Sequence, residues 1–517
     1  MTLRGSVIKR SWEQSGGWRW NGQKVKQMKQ RDLSGVRQCP AGVRGVVVAL
    51  KPGPFSLLET AGGAKDSRKM DGVMTRQSES TPAIVPLAQQ AGDAHPLWAS
   101  AKPCVWTMRM LTTLIEGVEG GKWFRLIDKV FSERNLLTAF QQVASKKGAA
   151  GVDHVKVDEF SRQVPENLWE LSDALKAGTF RPQAIRRVHI PKPGTQETRP
   201  LGIPTVRDRI VQAAVVNVIE PIFERDFAEH SYGFRPGRSC KDALRRVDAL
   251  VKAGHVHVVD ADLKGYFDSI PHAALMDRLQ TKIADSRVLS LIESFLKAGV
   301  MDGAEERIPV SGAPQGAVLS PLLSNVYLDP LDHLMAHCGF EMVRYADDFV
   351  ILCRSAEEAE RALELVRKWV TDNGLTLHPT KTQIVDSRTE SFSFLGYDFL
   401  GTKHWPRKKS LQKLKDTLRT KTRRTSGDSF QWIIVDVNRT LRGWFNYFQH
   451  STRRSVYSDL DSWLRMRLRS LLRRRAGGRG VARDQTASFT WPNAFFAAHR
   501  LFSLATAHRA ARQSSRR

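Results

Sequence analysis

The sequence predicts an α+β body built on an antiparallel sheet, followed by an all-α, strongly basic segment. Three observations carry this prediction. Between residues 255 and 385 the pattern runs strand, helices, hairpin, helix, strand, which suits antiparallel strands with helices on one side. After Tyr397, apolar residues recur at helical spacing with Arg between them, as in Leu441, Trp444, Phe445 and Phe448 and again in Leu464, Leu468, Leu471 and Leu472. The charge is also uneven. Of a formal net charge of +27 over 517 residues, residues 401–517 contribute +21, from 27 Lys and Arg against 6 Asp. Residues 1–70 contribute +10, and the stretch between them −4. The middle reads as an ordinary globular body and the flanks as a grip for a polyanion.

In chain order, residues 1–105 are expected to be a basic, disordered leader and linker. They are Gly-, Lys- and Arg-rich without a sustained period, then Ser/Pro/Ala-rich from 75. Met28, Met70 and Met74 offer alternative starts. Regular patterning begins near Met108. Leu111, Leu114 and Ile115, then Trp123, Leu126, Ile127 and Val130, stand at helical spacing. From Ile185 strand-like pieces alternate with Pro and Gly, and a helix is expected from Val206. Ser355 to Glu358 reads as a capping box opening a helix with Ala362, Leu365, Val366 and Trp369 on one face, closed by Asn373 and Gly374. No repeat of fixed period occurs. The five cysteines, Cys39, Cys104, Cys240, Cys338 and Cys353, form no C-x-x-C pair, which fits a reducing cytoplasm and suggests no zinc site. No apolar run approaches the ~18–20 residues of a membrane span.

The chemistry centres on three acids. Tyr345-Ala346-Asp347-Asp348 lies between two apolar runs and reads as strand, tight turn, strand. Alone, the acidic pair reads as a solvated turn. A third acid changes the reading. The apolar run His255 to Leu263 delivers Asp262 at a strand end, from where it can join the hairpin tip. Adjacent like charges repel, and hard oxygen ligands suit Mg²⁺. One Asp from a strand and two from a tip can make a two-metal site, one ion activating a 3′-oxygen and the other holding a triphosphate.

Further motifs stand in order around these acids. Ile190-Pro191-Lys192-Pro193-Gly194 is followed by Arg199-Pro200-Leu201-Gly202-Ile203-Pro204 and by Ser231-Tyr232-Gly233-Phe234-Arg235-Pro236-Gly237. Gly312-Ala313-Pro314-Gln315-Gly316, Lys381-Thr382, Phe394-Leu395-Gly396-Tyr397 and Leu441-Arg442-Gly443-Trp444-Phe445-Asn446-Tyr447-Phe448 come after. Together, over roughly residues 108–510, these resemble a group II intron-encoded reverse transcriptase, or maturase. The ending, Trp491 to Phe496 with Leu501 to Leu504, resembles bacterial members that lack the His-Asn-His endonuclease domain.

The resemblance implies a right-hand polymerase. Fingers and palm with an antiparallel sheet would occupy 106–400, an all-α RNA-binding thumb/maturase domain 401–480, and a basic C-terminal segment, a candidate for DNA binding, 481–517. It implies that Asp262, Asp347 and Asp348 are the catalytic, metal-binding acids, joined by the backbone carbonyl of Leu263, with two Mg²⁺ ions for which Mn²⁺ substitutes. Lys192 and Arg199 match residues that contact the triphosphate, for which charge-assisted hydrogen bonds are the physical reason. Phe267 matches a ring under the nucleotide sugar that leaves no room for a 2′-hydroxyl; on its residue type alone it is as well read as core. Gln315 matches a residue near the nucleotide, and Lys381 one that steadies or protonates the leaving pyrophosphate. Phe394, Leu395 and Gly396 match the primer grip.

Arg442 falls in the RNA-binding region. Arg465, Arg467, Arg469, Arg473, Arg474 and Arg475 are candidates for phosphate contact, whereas Trp444 and Phe448 read as a helix's core face. The expected partners are group II intron RNA, a DNA target and primer, and dNTPs, with no membrane. The expected location is the bacterial cytoplasm, in association with the nucleoid. The expected activity is copying intron RNA into DNA for retrohoming, with help to intron splicing. Intact acids argue against a decayed polymerase that only assists splicing, and the Leu441–Phe448 stretch against a reverse transcriptase of another kind.

Overall fold

The computed structural model describes residues 101–191, 198–303, 305–480 and 485–514. Most of the expected leader, and Lys192, lie outside the described residues. The described chain already packs at Val105 and Trp106, both buried, and the Trp106 indole donates to the Asn217 carbonyl at 3.1 Å.

Among the described residues eleven strands follow in order: β1 Ile185–Pro191, β2 Thr198–Ile203, β3 His257–Asp262, β4 Val300–Asp302, β5 Glu305–Arg307, β6 Glu341–Tyr345, β7 Asp348–Cys353, β8 Gln383–Asp386, β9 Phe392–Phe394, β10 Tyr397–Leu400 and β11 Lys403–Pro406. They form three sheets, ordered β2-β1-β4-β5, β6-β7-β3-β8 and β11-β10-β9. The central sheet is antiparallel throughout, as its sequence pattern requires. The first sheet is not, because β1 pairs with β4 in parallel through Ile185 and Val300.

Period-two alternation splits the central sheet between two cores. Val259, Ala261, Met342, Phe349 and Ile351 face a large core shared with the helices Ser320–His337 and Ala356–Asp372. Val258, Val343, Val350 and Leu352 face a second core shared with the helix Cys240–Lys252, the β9–β11 sheet and Phe448. Helices therefore cover both faces, where the sequence pattern had suggested one. The helix Val206–Glu224 is a central post of the large core. Thr205 caps it, accepting from the Asp208 amide at 3.1 Å, and most of its residues are buried.

Other local expectations are refined. The helix Met108–Glu116 forms and buries Leu111 and Leu114. Gly117, Gly120 and Gly121 at positive φ then break the helical path, and Trp123 bridges Ile283 as extended chain before the short helix Ile127–Val130. The box at Ser355 is half made. Its hydroxyl accepts from the Glu358 amide at 3.2 Å, but Glu358 returns to the Arg354 amide rather than to that of Ser355. A complete box stands at Ser239 and Asp242.

The β10–β11 hairpin crosses the boundary drawn at 400/401, so the all-α part begins at Lys408. It comprises the helices Lys408–Lys421, Phe430–Phe448 and Ser455–Arg475, then Gln485–Thr490, Asn493–Ala498 and Leu504–Ser514. Leu441, Phe445, Leu464, Leu468 and Leu471 interlock in its core with Phe496 and Leu504. Among the described residues no helix is long and apolar enough to cross a membrane.

Candidate active site

β3 and β7 are paired so that Asp262 lies directly opposite Asp348, and Asp347 sits at the tip of the β6–β7 hairpin. The three acids converge as their spacing predicted. The tip is a two-residue turn, Ala346-Asp347, with Ala346 at φ 61°, a region that non-glycine residues rarely occupy. Three contacts hold it there. Arg344, fully buried, donates to the Ala346 carbonyl at 2.9 Å and to Asn325 Oδ1 at 3.0 Å, and grips Asp332 through Nε at 2.8 Å. The His230–Tyr232 stretch pairs with Arg344 along the edge of β6, the Tyr232 amide donating to the Arg344 carbonyl at 2.9 Å and the Arg344 amide to the His230 carbonyl at 3.0 Å. Gly233 lies against the tip itself: a Cβ added there would stand 2.2 Å from the Ala346 nitrogen. The motif Tyr232 to Pro236 thus buttresses the hairpin. Arg235 serves the same end, buried in a bidentate pair with Glu224.

Electrostatically the acids form one cluster. Burial, then Asp347 and Asp262, push the Asp348 carboxyl up to about 6. Asp347 is also raised by burial and by Asp262, and lowered by Arg199 and Arg344. A fourth acid shares the field. Asp260, two residues before Asp262 and so on the same face of β3, is pushed up to about 7 by burial and by Asp348 and Asp262. It was visible in the alternation Asp260-Ala261-Asp262 but had no role in the sequence reading.

Lys381 supplies a cation, its ammonium 2.7 Å from Asp262 Oδ2. The His378 amide fastens that loop to the Asp262 carbonyl at 2.7 Å. Among the described residues no three His, Cys, Asp or Glu side chains are drawn together tightly enough to hold an ion as they stand. The donor set nevertheless consists of hard, mutually repelling carboxylates that already attract an ammonium, and its chemistry fits a divalent cation.

Around the acids the other motifs close in. The Gly202 amide of β2 donates to the Gln315 carbonyl at 2.7 Å, and a Cβ on Gly316 would meet the Gly202 oxygen at 2.5 Å, so the Gln315 turn is clamped to the β1–β2 hairpin. The Ala313 amide donates to the Phe267 carbonyl at 2.7 Å, which joins Phe267 to the same turn. The Phe267 ring is half-buried against the large core and packs edge-on to Tyr266 at 5.5 Å. Leu263 is buried and bridged to Leu377.

On the other side of the acids, Leu395 and Gly396 form a two-residue turn with φ of 46° and 82°. The Leu395 backbone amide offsets part of the rise in the Asp348 carboxyl. Tyr447, on the helix Phe430–Phe448, donates its hydroxyl to the Leu395 carbonyl at 2.7 Å. A hydrogen bond therefore ties the all-α part to the Leu395 turn beside Asp348, and Tyr447 was not singled out for it in the sequence.

The basic residues of the helices have mixed surroundings. Arg442 is exposed and stacks on Phe502 at 4.6 Å. Arg465 donates to Ser462. Arg467 donates through Nε to the Thr422 hydroxyl at 2.9 Å, and Arg469 to the Trp491 carbonyl at 2.9 Å, so both already brace the fold. Arg473, Arg474 and Arg475 close the helix Ser455–Arg475, where cations favour the dipole. Arg474 and Arg475 are exposed, and Arg475 also donates to the Ser426 and Asp428 carbonyls. Phe448 is buried and Trp444 packs on it at 4.8 Å, a core face as expected.

An antiparallel palm with acids at the ends of its central strands, joined to the β1–β2 hairpin and to a basic helical domain, defines the class as right-hand polymerases with a helical appendage. Comparison with known proteins specifies it. The family described as reverse transcriptase (RNA-dependent DNA polymerase) matches residues 190–399, and the group II intron maturase-specific domain matches residues 411–485. Protein YkfC of Escherichia coli (strain K12) is 34% identical over 319 residues, covering 53% of this chain and 82% of YkfC. Group II intron-encoded protein LtrA of Lactococcus lactis subsp. cremoris is 41% identical over 216 residues, 40% of this chain, and that match spans about a third of LtrA's length, 35%. A solved partial Cas6-RT-Cas1–Cas2 complex overlaps only loosely, with a TM-score of 0.32 and 25% identity over 48% of this chain and 42% of that one. The chain belongs to the group II intron-encoded reverse transcriptase/maturase family.

Proposed function

We propose that this chain is an RNA-directed DNA polymerase that copies group II intron RNA into DNA for retrohoming and assists splicing of that RNA. The observation that carries the reading is the pairing of Asp262 with Asp348 beneath Asp347, between the β1–β2 hairpin and the Leu395 turn. Asp262, Asp347, Asp348 and the Leu263 carbonyl would hold two Mg²⁺ ions, with Mn²⁺ as a substitute. Bound metal supplies activation of the primer 3′-oxygen and neutralisation of the triphosphate charge.

The protein's own groups do the rest. Lys192 and Arg199 bind triphosphate oxygens. Phe267 lies under the sugar and rejects a 2′-hydroxyl, and Gln315, on its clamped turn, orients the nucleotide. Lys381, already on Asp262, steadies the leaving pyrophosphate and can pass it a proton. Phe394, Leu395 and Gly396 fix the primer end. Exposed arginines of the helical domain, Arg442, Arg474 and Arg475 foremost, take RNA phosphates, with Arg465, Arg467, Arg469 and Arg473 as further contacts.

The test is primer extension on an RNA template with dNTPs and Mg²⁺. Asp347→Ala should abolish extension and leave intron RNA binding nearly intact; retained extension would sink the assignment of this site.

A further inference from the structure

Away from the acids, the helix Cys240–Lys252, the β10–β11 hairpin, the end of the helix Phe430–Phe448 and the helix Leu504–Ser514 enclose a cleft of about 560 Å³. Its walls include Lys241, Arg245, Lys252 and Arg512 against a single carboxylate, Asp248. Asp248 is occupied by Lys252 at 2.5 Å, and Arg245 by Asp242 at 2.8 Å. A second cleft, lined by Arg454, Arg509 and Ser458, shares the walls His508 and Arg512 with the first. Among the described residues, none of Lys241, Arg454, Arg509 and Arg512 is ion-paired with a carboxylate, so four uncompensated cations line the two adjoining clefts. The histidines report the same positive field: His450 is held low by burial and by Lys241 and Arg245, and His508 by burial and by Arg512 and Arg454. The first cleft is backed by Tyr397 and Phe399, both buried in the second core, and its accessible lining includes His450, Gln449 and Thr452.

We propose that these two adjoining clefts bind an RNA strand, with Lys241, Arg512, Arg509 and Arg454 on its phosphates and an unpaired nucleotide seated against His450, Gln449 and Thr452. Unpaired cations in a row fit a phosphodiester backbone. A cleft of about 560 Å³ with an exposed imidazole and polar side chains in its lining suits a splayed base better than the smooth flank of a duplex. The inference rests on the RNA-partner reading above but uses none of its catalytic residues. It also gives the helix Leu504–Ser514 a role as one wall of an RNA site, where the sequence had suggested a candidate for DNA binding.

The test compares the full chain with Lys241→Gln/Arg512→Gln and Arg454→Gln/Arg509→Gln variants. The probes are an RNA hairpin with an unpaired loop and a DNA duplex of equal length, and extension of a short primer–template serves as the control for folding. Each double variant should lose about tenfold in hairpin affinity, with a salt slope flatter by about 0.7–0.9 per lost phosphate contact. Primer extension should be unchanged, and Lys241→Arg/Arg512→Lys should restore binding. Unchanged hairpin affinity and slope, or a larger loss on the DNA duplex, overturns the proposal. Failure of the unaltered chain to bind the hairpin at all would instead count against the RNA-partner reading itself.

Discussion

Gly233→Ala probes the acidic Ala346-Asp347 turn from outside the proposed catalytic residues. The new Cβ would stand 2.2 Å from the Ala346 nitrogen and 2.8 Å from the Tyr345 carbonyl carbon, where ordinary contact begins at 3.4 Å. Something must retreat by about 1.2 Å, and both neighbours are backbone. Neither side yields easily. Asn325 donates to the Gly233 carbonyl at 2.8 Å, and the Ala346 carbonyl is held by Arg344. Overpacking of this kind costs about 1–3 kcal/mol of stability. The larger effect falls on the chemistry, since a displacement of about 1 Å at reacting groups costs roughly 10²-fold in rate. Single-turnover primer extension on an RNA template should therefore slow about a hundredfold, while urea unfolding shows a folded protein with modestly reduced stability. Gly443→Ala is the control. Gly443 lies within the helix Phe430–Phe448 with no atom within 4 Å of an added Cβ, so it should keep full activity and gain up to about 1 kcal/mol. A Gly233→Ala protein that extends primers at the wild-type rate would refute the claim that the Tyr232–Pro236 loop positions the acids.

Three further outcomes are expected. Phe267→Ala should admit ribonucleotides, and undiminished discrimination in competition assays would return that ring to a packing role. Tyr447→Phe removes the 2.7 Å bond to the Leu395 carbonyl, worth about 1 kcal/mol, so the apparent KM for primer should rise about fivefold with the dNTP KM unmoved; a shift in the dNTP KM alone would break the proposed link between helix and grip. Glu220, in the large-core helix, is pushed from 4.5 up to about 7 by burial and then by Glu224. Between those values the folded state binds more protons than the unfolded chain, so stability should fall as pH rises from about 4.5 to 7. Glu220→Gln should flatten that part of the Tm–pH curve, and an unchanged slope would show that Glu220 does not titrate there.

The central sheet and its acids were legible because strand period and carboxylate spacing are local properties, and Asp262 and Asp347 declare themselves by interrupting apolar runs. What holds the acids was not. Arg344 looks in sequence like a strand-face charge, and only the fold brings Asp332 and Asn325, twelve and nineteen residues earlier, to surround it. The glycines of the Gly202 and Gly316 motifs could be read as allowing close approach, but that they approach each other depends on tertiary pairing. Trp123 misled because helical spacing persists across Gly120 and Gly121, whose positive φ breaks the path. The basic helices were found by charge and period. Whether an arginine such as Arg467 braces a neighbouring helix or faces outward depends on what packs beside it.

Ala346 holds a backbone conformation that would relax if left alone, and the buried Arg344–Asp332 pair keeps it from relaxing. The cost of shaping the tip is therefore met when the chain folds and, on the proposed function, does not recur at each nucleotide added. A site preorganised in this way has little reorganisation left to couple to substrate choice. On the proposed function, changes that alter fidelity without altering maximal rate should map to the two hairpins that flank the fixed acids, β1–β2 and the Leu395 turn.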